Sequence, residues 1–430
     1  MAKKELDEIN HRWGRRAWAT GKIAASAARL AARKVVNATG ETDGILGATM
    51  TRELDQMKGM AMKVGQILSY FDGVLPEDAQ RAFQKLQRGS EPVALGIMME
   101  ALEAGLGQSP DSLFESMDPT PVASASIGQV YRAQYEGRSV AVKIQYPKIR
   151  ETMEADFKHI GRISRLASLA TAVDGLAITE DLRDRIVAEC DYSLEAKNQR
   201  AFCTAFKDDP FVRIPGVVAE RSAPRVLTTE WCEGQDFYTF VEQSSPAQRQ
   251  QAARTLMRFA YRSLFEFGRL NADPHPGNYL FPDGEEVVFL DFGCVRAFEA
   301  RFVETERSLM RVILDNDRPG FRQAVLDTEM VPKPRKFDFD QHWEMMRYVY
   351  EPYYSTDFTF TVEYLKRGQV YMGPGNSNLR KIAIPPPWIW VQRLQWGLHA
   401  VLTKLGAKGS FQESMREIID TPFSPLLVDE

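Results

Sequence analysis

At 430 residues, of which 44% are hydrophobic and 26% charged, the chain is long enough for two or three domains and has a globular composition, not a disordered one. Its formal net charge of −4 argues against nucleic acid as the main partner, because phosphate backbones are bound by a clustered positive excess. No apolar run approaches the ~20 residues of a bilayer-spanning helix, and the start, MAKKELDEIN, lacks the apolar centre of a signal peptide. The expected location is therefore the cytoplasm, with attachment only to the inner face of a membrane. Cys190, Cys203, Cys232 and Cys294 never fall at C-x-x-C spacing, which suggests neither a disulfide framework nor a zinc site.

Residues 1–40 stand apart. RRAWATGKIAASAARLAARKVV interleaves Arg15, Arg16, Lys22, Arg29, Arg33 and Lys34 with Trp18, Ile23, Leu30 and Val35, a pattern that suits an anionic membrane surface and equally a helix docked on the body. In ELDQMKGMAMKVGQILSYF, Leu54, Met57, Met60 or Ala61, Val64 and Leu68 recur at helical steps, and Pro76 opens a further helix with an acidic first turn. After Pro119-Thr120-Pro121 the period becomes two. SIGQVYRAQYEGRSVAVKIQYP reads as a β-hairpin turning at Glu136-Gly137. Helical signals return at Thr179, an N-cap before Glu180 and Asp181, and run to about Phe206. RVLTTEWCEGQDF reads as one more strand, leaving into a loop at Gly234. The remainder is predicted helical, broken only by a second hairpin and by the loop PPPW. PPPWIWVQRLQWGLHAVLTKLG, aromatic and amphipathic, is read as core.

The second hairpin concentrates the chemistry, in NADPHPGNYLFPDGEEVVFLDFG, residues 271–293. YLF and VVFL are short apolar strands joined by Pro282-Asp283-Gly284, so Asn278 lies just before one strand and Asp291 just after its partner. Magnesium prefers carboxylate and amide oxygens and completes its shell from phosphate and water. Asp273 to Asn278 is a D-x-x-x-x-N spacing and Asp291-Phe292-Gly293 a D-F-G, the pair that kinases use for phosphoryl transfer. A lone D-F-G is weak evidence; joined to D-x-x-x-x-N by a hairpin of this length, it is strong. His275, between two prolines, is read as shaping the loop and not as a metal ligand.

Phosphoryl transfer also asks for a strand lysine and a helix glutamate. Lys143 in VAVKIQ fits, since Val140, Val142 and Ile144 share one strand face while Ala141 and Lys143 share the other. In AECDYSLEAKN, Glu189 and Glu195 are six residues apart, which on one helix is about 240° around the axis, so a single helix would address two groups. Other kinase features are missing. The glycine-rich loop is replaced by VASASIGQV, whose Ala123, Ser124, Ala125 and Ser126 still let backbone approach phosphate. Asn271-Ala272 stands where His-Arg would precede Asp273, and no A-P-E follows the D-F-G, so the segment that docks peptide substrates has no counterpart.

KVGQ (Lys63, Val64, Gly65, Gln66), ASASIGQV, VAVK, ECDYSLEAKN, NADPHPGN and DFG, in that order over residues 50–300, resemble the UbiB family of atypical kinase-like proteins of bacteria, mitochondria and plastids. The resemblance fades beyond about residue 310. It implies an α+β, bilobal protein-kinase-like fold with an N-terminal helical extension folded over the active site. The implied division is 1–40 basic amphipathic segment, 41–118 helical extension carrying K-x-G-Q, 119–235 N-lobe and 236–430 C-lobe with a helical C-terminal region. Lys63, with Gln66, is implied to reach into the pocket and meet Glu189 and Asp191 as a regulatory network, and Lys143 to pair with Glu195. Asn278 and Asp291 would hold Mg2+, and Asp273 would occupy the catalytic-base position. Ala123, Ser124, Ala125, Ser126, Lys143 and Glu230 are the implied contacts of ATP or ADP, with Ser124 interrupting an alanine run that sets nucleotide preference.

By the same resemblance, the partners are a prenyl lipid or membrane surface and enzymes of ubiquinone-like lipid biosynthesis. The expected activity is that of a magnesium-dependent ATPase or kinase acting on a small or lipid-linked acceptor. Two other readings stay open. A small-molecule kinase of the aminoglycoside or choline type shares the D-x-x-x-x-N loop and the aspartate after a hairpin, but KVGQ speaks against it. A nucleotide-gated, non-enzymatic lipid-binding scaffold fits the self-blocking extension.

Overall fold

A computed structural model of the chain describes residues 93–124, 127–151, 154, 189–372, 375–379 and 381–428. The basic segment 1–40, the K-x-G-Q residues Lys63 and Gln66, the loop residues Ala125 and Ser126 and the Thr179 cap lie outside the described residues. In chain order, the first elements are α1 (Leu95–Leu106), β1 (Ser116–Met117), β2 (Ala123–Ser124), β3 (Gly128–Tyr135), β4 (Arg138–Gln145) and α2 (Tyr192–Ala205). Next come β5 (Val212–Arg213), β6 (Val226–Glu230), β7 (Gln235–Asp236), α3 (Phe237–Gln243), α4 (Pro246–Phe265), β8 (Arg269–Asn271), β9 (Tyr279–Phe281), β10 (Val287–Phe289) and β11 (Val295–Ala297). The rest comprises α5 (Ala300–Leu314), α6 (Arg318–Asp327), α7 (Phe339–Val349), β12 (Phe358–Thr359), α8 (Val362–Met372), α9 (Pro386–Leu405), β13 (Lys408–Gly409) and α10 (Gln412–Asp420). The expected mixture of helices and sheets is present. It divides into two compact units, one ending at Leu194 and including Val217–Trp231, the other made of Glu195–Gly216 and Cys232–Glu430.

In the first unit, β3 and β4 pair antiparallel from Gly128 opposite Gln145 to Tyr135 opposite Arg138. Their two-residue turn has Glu136 at φ 51° and Gly137 at φ 70°, the left-handed pair whose twist matches the strands it joins. β6 extends the sheet on the β4 side, and β1 and β2 both pair with β3. Val140, Val142 and Ile144 are buried, as the alternation requires, in one cluster with Met98 and Leu102 of α1 and Val226 of β6. Ala141 and Lys143, on the opposite face, are half-buried. β1 and β2 were not expected, because two-residue strands carry no readable period.

The second unit is built around α4, which starts with a capping box between Ser245 and Gln248 and is buried over most of its circumference, from Ala252 to Phe265. A four-stranded sheet of order β5-β10-β9-β7 packs beside it, and β8 pairs with β11 and β12 with β13. Phe289 of β10 stacks on Phe259 of α4 with ring centroids 3.8 Å apart. These short strands correct the expectation of an otherwise helical remainder. PPPW is likewise no loop: Pro385 is the N-cap of α9, and Pro386 and Pro387 occupy its first turn, where a missing N–H costs nothing.

Beneath α4 and α9 lies a buried polar network. Tyr261 donates to Tyr353 at 2.9 Å, while Tyr353 and Tyr364 engage the two nitrogens of His399 at 2.8 and 3.1 Å. Tyr350 donates to Glu306 at 2.7 Å. Burial drives the Glu306 carboxyl up from 4.5 to about 8, and drives His342 and His399 down from 6.5 to about 4 and about 3. Between pH 4.5 and 8 the native state therefore keeps a proton on Glu306 that the unfolded chain has released, so its stabilisation is lost as pH rises toward 8. The histidines act in the opposite sense below pH 6.5, where the unfolded chain takes up protons that the native imidazoles refuse. The expected melting temperature peaks near pH 6.5, and Glu306→Gln flattens its alkaline side. A pH series of melting curves that declines equally in wild type and variant removes Glu306 as the cause.

Candidate active site

In the first unit, the candidate residues gather where β4 meets the turn before α2. Lys143 places its Nζ 4.9 Å from the centre of the Tyr192 ring, a cation–π contact. Gly128, at the start of β3, allows this packing, because a Cβ there would fall 2.3 Å from the Ile144 carbonyl oxygen and 2.9 Å from the Tyr192 hydroxyl. The buried Gln145 donates its amide to the Cys190 carbonyl at 2.8 Å, and the Tyr192 N–H donates to the Pro224 carbonyl at 2.9 Å. These bonds hold the ECDY turn to the sheet.

That turn corrects the single-helix reading. The helix carrying Glu195 begins at Tyr192, with a turn at Cys190 and Asp191 outside helix. Glu189 therefore precedes a break, and the 240° argument does not apply. Asp191 has a local role: its Oδ1 accepts from the Ser193 N–H at 2.9 Å, which caps α2. Ala123 and Ser124 form β2 opposite Val130 and Gln129. Glu230 ends β6, exposed and opposite Val140.

In the second unit, the hairpin places the other candidates. Phe289 of β10 lies opposite Tyr279 of β9, and the Leu290 N–H extends the ladder to the Asn278 carbonyl at 3.0 Å. Asn278 and Asp291 thus stand at the open end of the hairpin. Asn278 donates its amide to the Asp273 carbonyl at 3.0 Å and to its Oδ2 at 3.2 Å, which turns the amide oxygen away from Asp273. His275 does shape this loop, accepting the Gly277 N–H on Nδ1 at 3.1 Å.

The D-F-G is held by two side-chain amides, one half-buried (Asn271) and one buried (Asn198). Asn271 donates to the Asp291 carbonyl at 2.7 Å and Asn198 to the Phe292 carbonyl at 3.2 Å. Phe292 is fully buried, its ring 5.1 Å from that of Phe202. Asp291 Oδ1 accepts the Gly293 N–H at 2.9 Å. The buried Glu195 carboxylate lies on the same glycine, 3.5 Å from where its Cβ would be. Asp273 is further bound by Arg393 of α9, at 3.0 Å to Oδ1.

The structure thus brings together Asp273, Asn278 and Asp291, and sets Glu195 against Gly293. Lys143, Glu189, Asp191 and Glu230 belong to the other unit. The amide oxygen of Asn278 and the carboxylate of Asp291 are hard donors of the kind that Mg2+ takes alongside phosphate and water. Sequence reasoning missed Asn198, Asn271 and Arg393. The two asparagines stood in quoted motifs without a partner to give them a role, and Arg393 carries no local signal at all.

Residues 85–325 match the family model described as an ABC1 atypical kinase-like domain. The chain is 31% identical over 310 residues to the atypical kinase COQ8B, mitochondrial, of Rattus norvegicus, covering 71% of this chain and 58% of that protein. It is 28% identical over 277 residues to the atypical kinase COQ8, mitochondrial, of Saccharomyces cerevisiae, covering 63% and 55% respectively. The protein ACTIVITY OF BC1 COMPLEX KINASE 3, chloroplastic, of Arabidopsis thaliana is 34% identical over 250 residues, covering 56% of this chain and 35% of that one. The chain thus spans less than two thirds of the length of these relatives. Among solved structures, Rv3197 of Mycobacterium tuberculosis in complex with erythromycin aligns with a TM-score of 0.68 and 28% identity, over 95% of this chain and 100% of that one. The fold is therefore the protein-kinase-like α+β fold expected.

The capping role of Asp191 is open to direct measurement. Asp191→Ala is expected to lower the unfolding free energy by about 1 kcal/mol, while Asp191→Asn keeps most of it. Urea denaturation of both variants reads the difference, and equal losses would leave the cap without energetic weight.

Proposed function

Since this chain belongs to the ABC1 atypical kinase-like family, we propose that it is an atypical kinase that binds ATP with Mg2+. It then hydrolyses the nucleotide or transfers its γ-phosphoryl group to a small or lipid-linked hydroxyl. The observation that carries this reading is the cluster of Asp273, Asn278 and Asp291, set at the end of one hairpin with the D-F-G carbonyls held by Asn271 and Asn198.

In this reading Lys143 holds the α and β phosphates and is paired with Glu195, while Ala123, Ser124, Ala125, Ser126 and Glu230 border the nucleotide. Asp273 orients the attacking hydroxyl or water. Asn278 and Asp291 hold Mg2+, which when bound supplies the positive charge that offsets the phosphate oxygens. Lys63, Gln66, Glu189 and Asp191 form the regulatory set. ADP is the alternative resting ligand.

A protein acceptor is disfavoured because no A-P-E follows the D-F-G. The acceptor class proposed is a prenyl-lipid intermediate of ubiquinone-like metabolism, met at a membrane surface beside the enzymes of that metabolism. The rat and yeast relatives are named as mitochondrial and the Arabidopsis relative as chloroplastic. No helix among the described residues is long and apolar enough to cross a membrane.

Melting curves with Mg2+ and ATP or ADP test the site. A ligand at a hundred times its Kd adds about 2.7 kcal/mol to the native state, so a rise of several degrees is expected in wild type and is lost in Asp291→Asn. Lys143→Ala is expected to reduce phosphate release by about 100-fold or more. Absence of any rise with either nucleotide in wild type would reject the reading.

A further inference from the structure

Helix α9 lies beyond the residues that the family model covers, yet it meets the catalytic loop at two points. Arg393 and Gly397 are four residues apart and so share one helix face. Arg393 reaches the Asp273 carboxylate, Nη2 to Oδ1 at 3.0 Å, with the two side chains only 16% and 15% exposed. The other oxygen, Oδ2, accepts from the Asn278 amide at 3.2 Å. Each oxygen thus has its own side-chain donor. Arg393 also packs on Trp390, whose ring centre is 5.5 Å from the guanidinium carbon. One turn on, a Cβ at Gly397 would fall 2.4 Å from Cγ of Pro274, a ring that cannot swing aside. Glycine inside a helix costs about 1 kcal/mol relative to alanine, and here it lets the helix seat directly on the residue after Asp273.

We propose that α9 is the positioning device of the active site. Arg393 sets the Asp273 carboxylate, and Gly397 fixes the distance at which the helix holds the loop. The inference rests on the phosphoryl-transfer reading above. In it Arg393 is a positioning residue, acting through Asp273. With Oδ1 drawn to the guanidinium, Oδ2 stays on the Asn278 amide, which in turn presents its oxygen to the metal position. The guanidinium also offsets one of the negative charges gathered by Asp273, Asp291 and Glu195.

Steady-state ATP hydrolysis by the full chain tests this, using wild type, Arg393→Ala, Arg393→Lys and Gly397→Ala. Loss of a positioning contact of this kind costs about 10- to 100-fold, so kcat is expected to fall by that factor in Arg393→Ala with KM for ATP changed less than about threefold. Arg393→Lys recovers part of the loss, and millimolar guanidinium ion restores part of it to Arg393→Ala but adds nothing to wild type. Gly397→Ala lowers kcat in the same way. An unchanged kcat in Arg393→Ala, or a loss confined to KM, overturns the proposal.

A second measurement stands without turnover. Melting temperatures of wild type, Arg393→Ala, Asp273→Asn and the double variant form a cycle in which the arginine substitution is expected to cost clearly less once Asp273 is replaced. Additive shifts overturn the Arg393–Asp273 pairing even if no variant, wild type included, hydrolyses ATP. Failure of wild-type turnover with a non-additive cycle would instead reject the phosphoryl-transfer reading and keep the pairing.

Discussion

The pairing of Phe289 with Tyr279 is the constraint on which the candidate site depends. Side chains alternate along a strand, so a slip of one residue would send Asn278 and Asp291 to opposite sides of the hairpin. Alternation alone does not prevent the slip here, because Val287, Val288 and Phe289 are all buried. Aromatic packing does prevent it. Phe289 is fixed between Phe259, at 3.8 Å, and Tyr279, at 5.5 Å between ring centres, and β7 closes the other edge. There Gly234 passes so near Phe281 that a Cβ would sit 3.0 Å from its carbonyl carbon.

Given that register, the backbone on either side of the hairpin still has to be held, and neutral amides do it. Asn271 and Asn198 satisfy consecutive carbonyls of the D-F-G, groups that would cost about 1–3 kcal/mol each if buried without a donor. Asn198 and Phe202 are one turn apart on α2, so the same helix face bonds the Phe292 backbone and packs its ring. Amides add no charge. That matters where Asp291 and Glu195 both approach Gly293, at 3.3 and 3.5 Å from its Cβ position, since the carboxylates then remain the dominant electrostatic feature, one that favours a bound cation.

Legibility in the sequence followed the range of the contact. The β3–β4 hairpin and the alternation that sets Lys143 apart from Val142 and Ile144 depend on neighbours two residues apart or across a two-residue turn, and both were readable. So was the closeness of Asn278 and Asp291, which needs only a short hairpin. The break before Tyr192 was not. AECDYSLEAKN has helical composition throughout, and the break is made by Gln145 and Pro224, both distant in sequence. PPPW misled for a different reason: proline ends helices inside but begins them well. Asn271 and Asn198 were visible as residues and silent as partners. Lys63, Gln66, Ala125 and Ser126 lie outside the described residues, so for them the reading stands as sequence alone.

Arg393 is 120 residues from Asp273, and no period or motif announces such a contact. Its meaning has to come from energetics. A partly buried ion pair is weak evidence for stability, because desolvating both groups consumes most of the Coulombic gain, and apolar replacements of equal volume are often as stable. The chain nonetheless places a mid-helix glycine and a guanidinium on one face of α9, both aimed at the two-residue segment Asp273-Pro274. Helix propensity alone would favour alanine at Gly397, which the Pro274 ring excludes, and stability alone would favour an apolar side chain at Arg393. What neither replacement can supply is direction: a carboxylate oxygen drawn to one side so that its twin meets the Asn278 amide on the other. The arrangement is intelligible as orientation of the Asp273–Asn278 loop by a helix that the kinase-like motifs themselves do not contain.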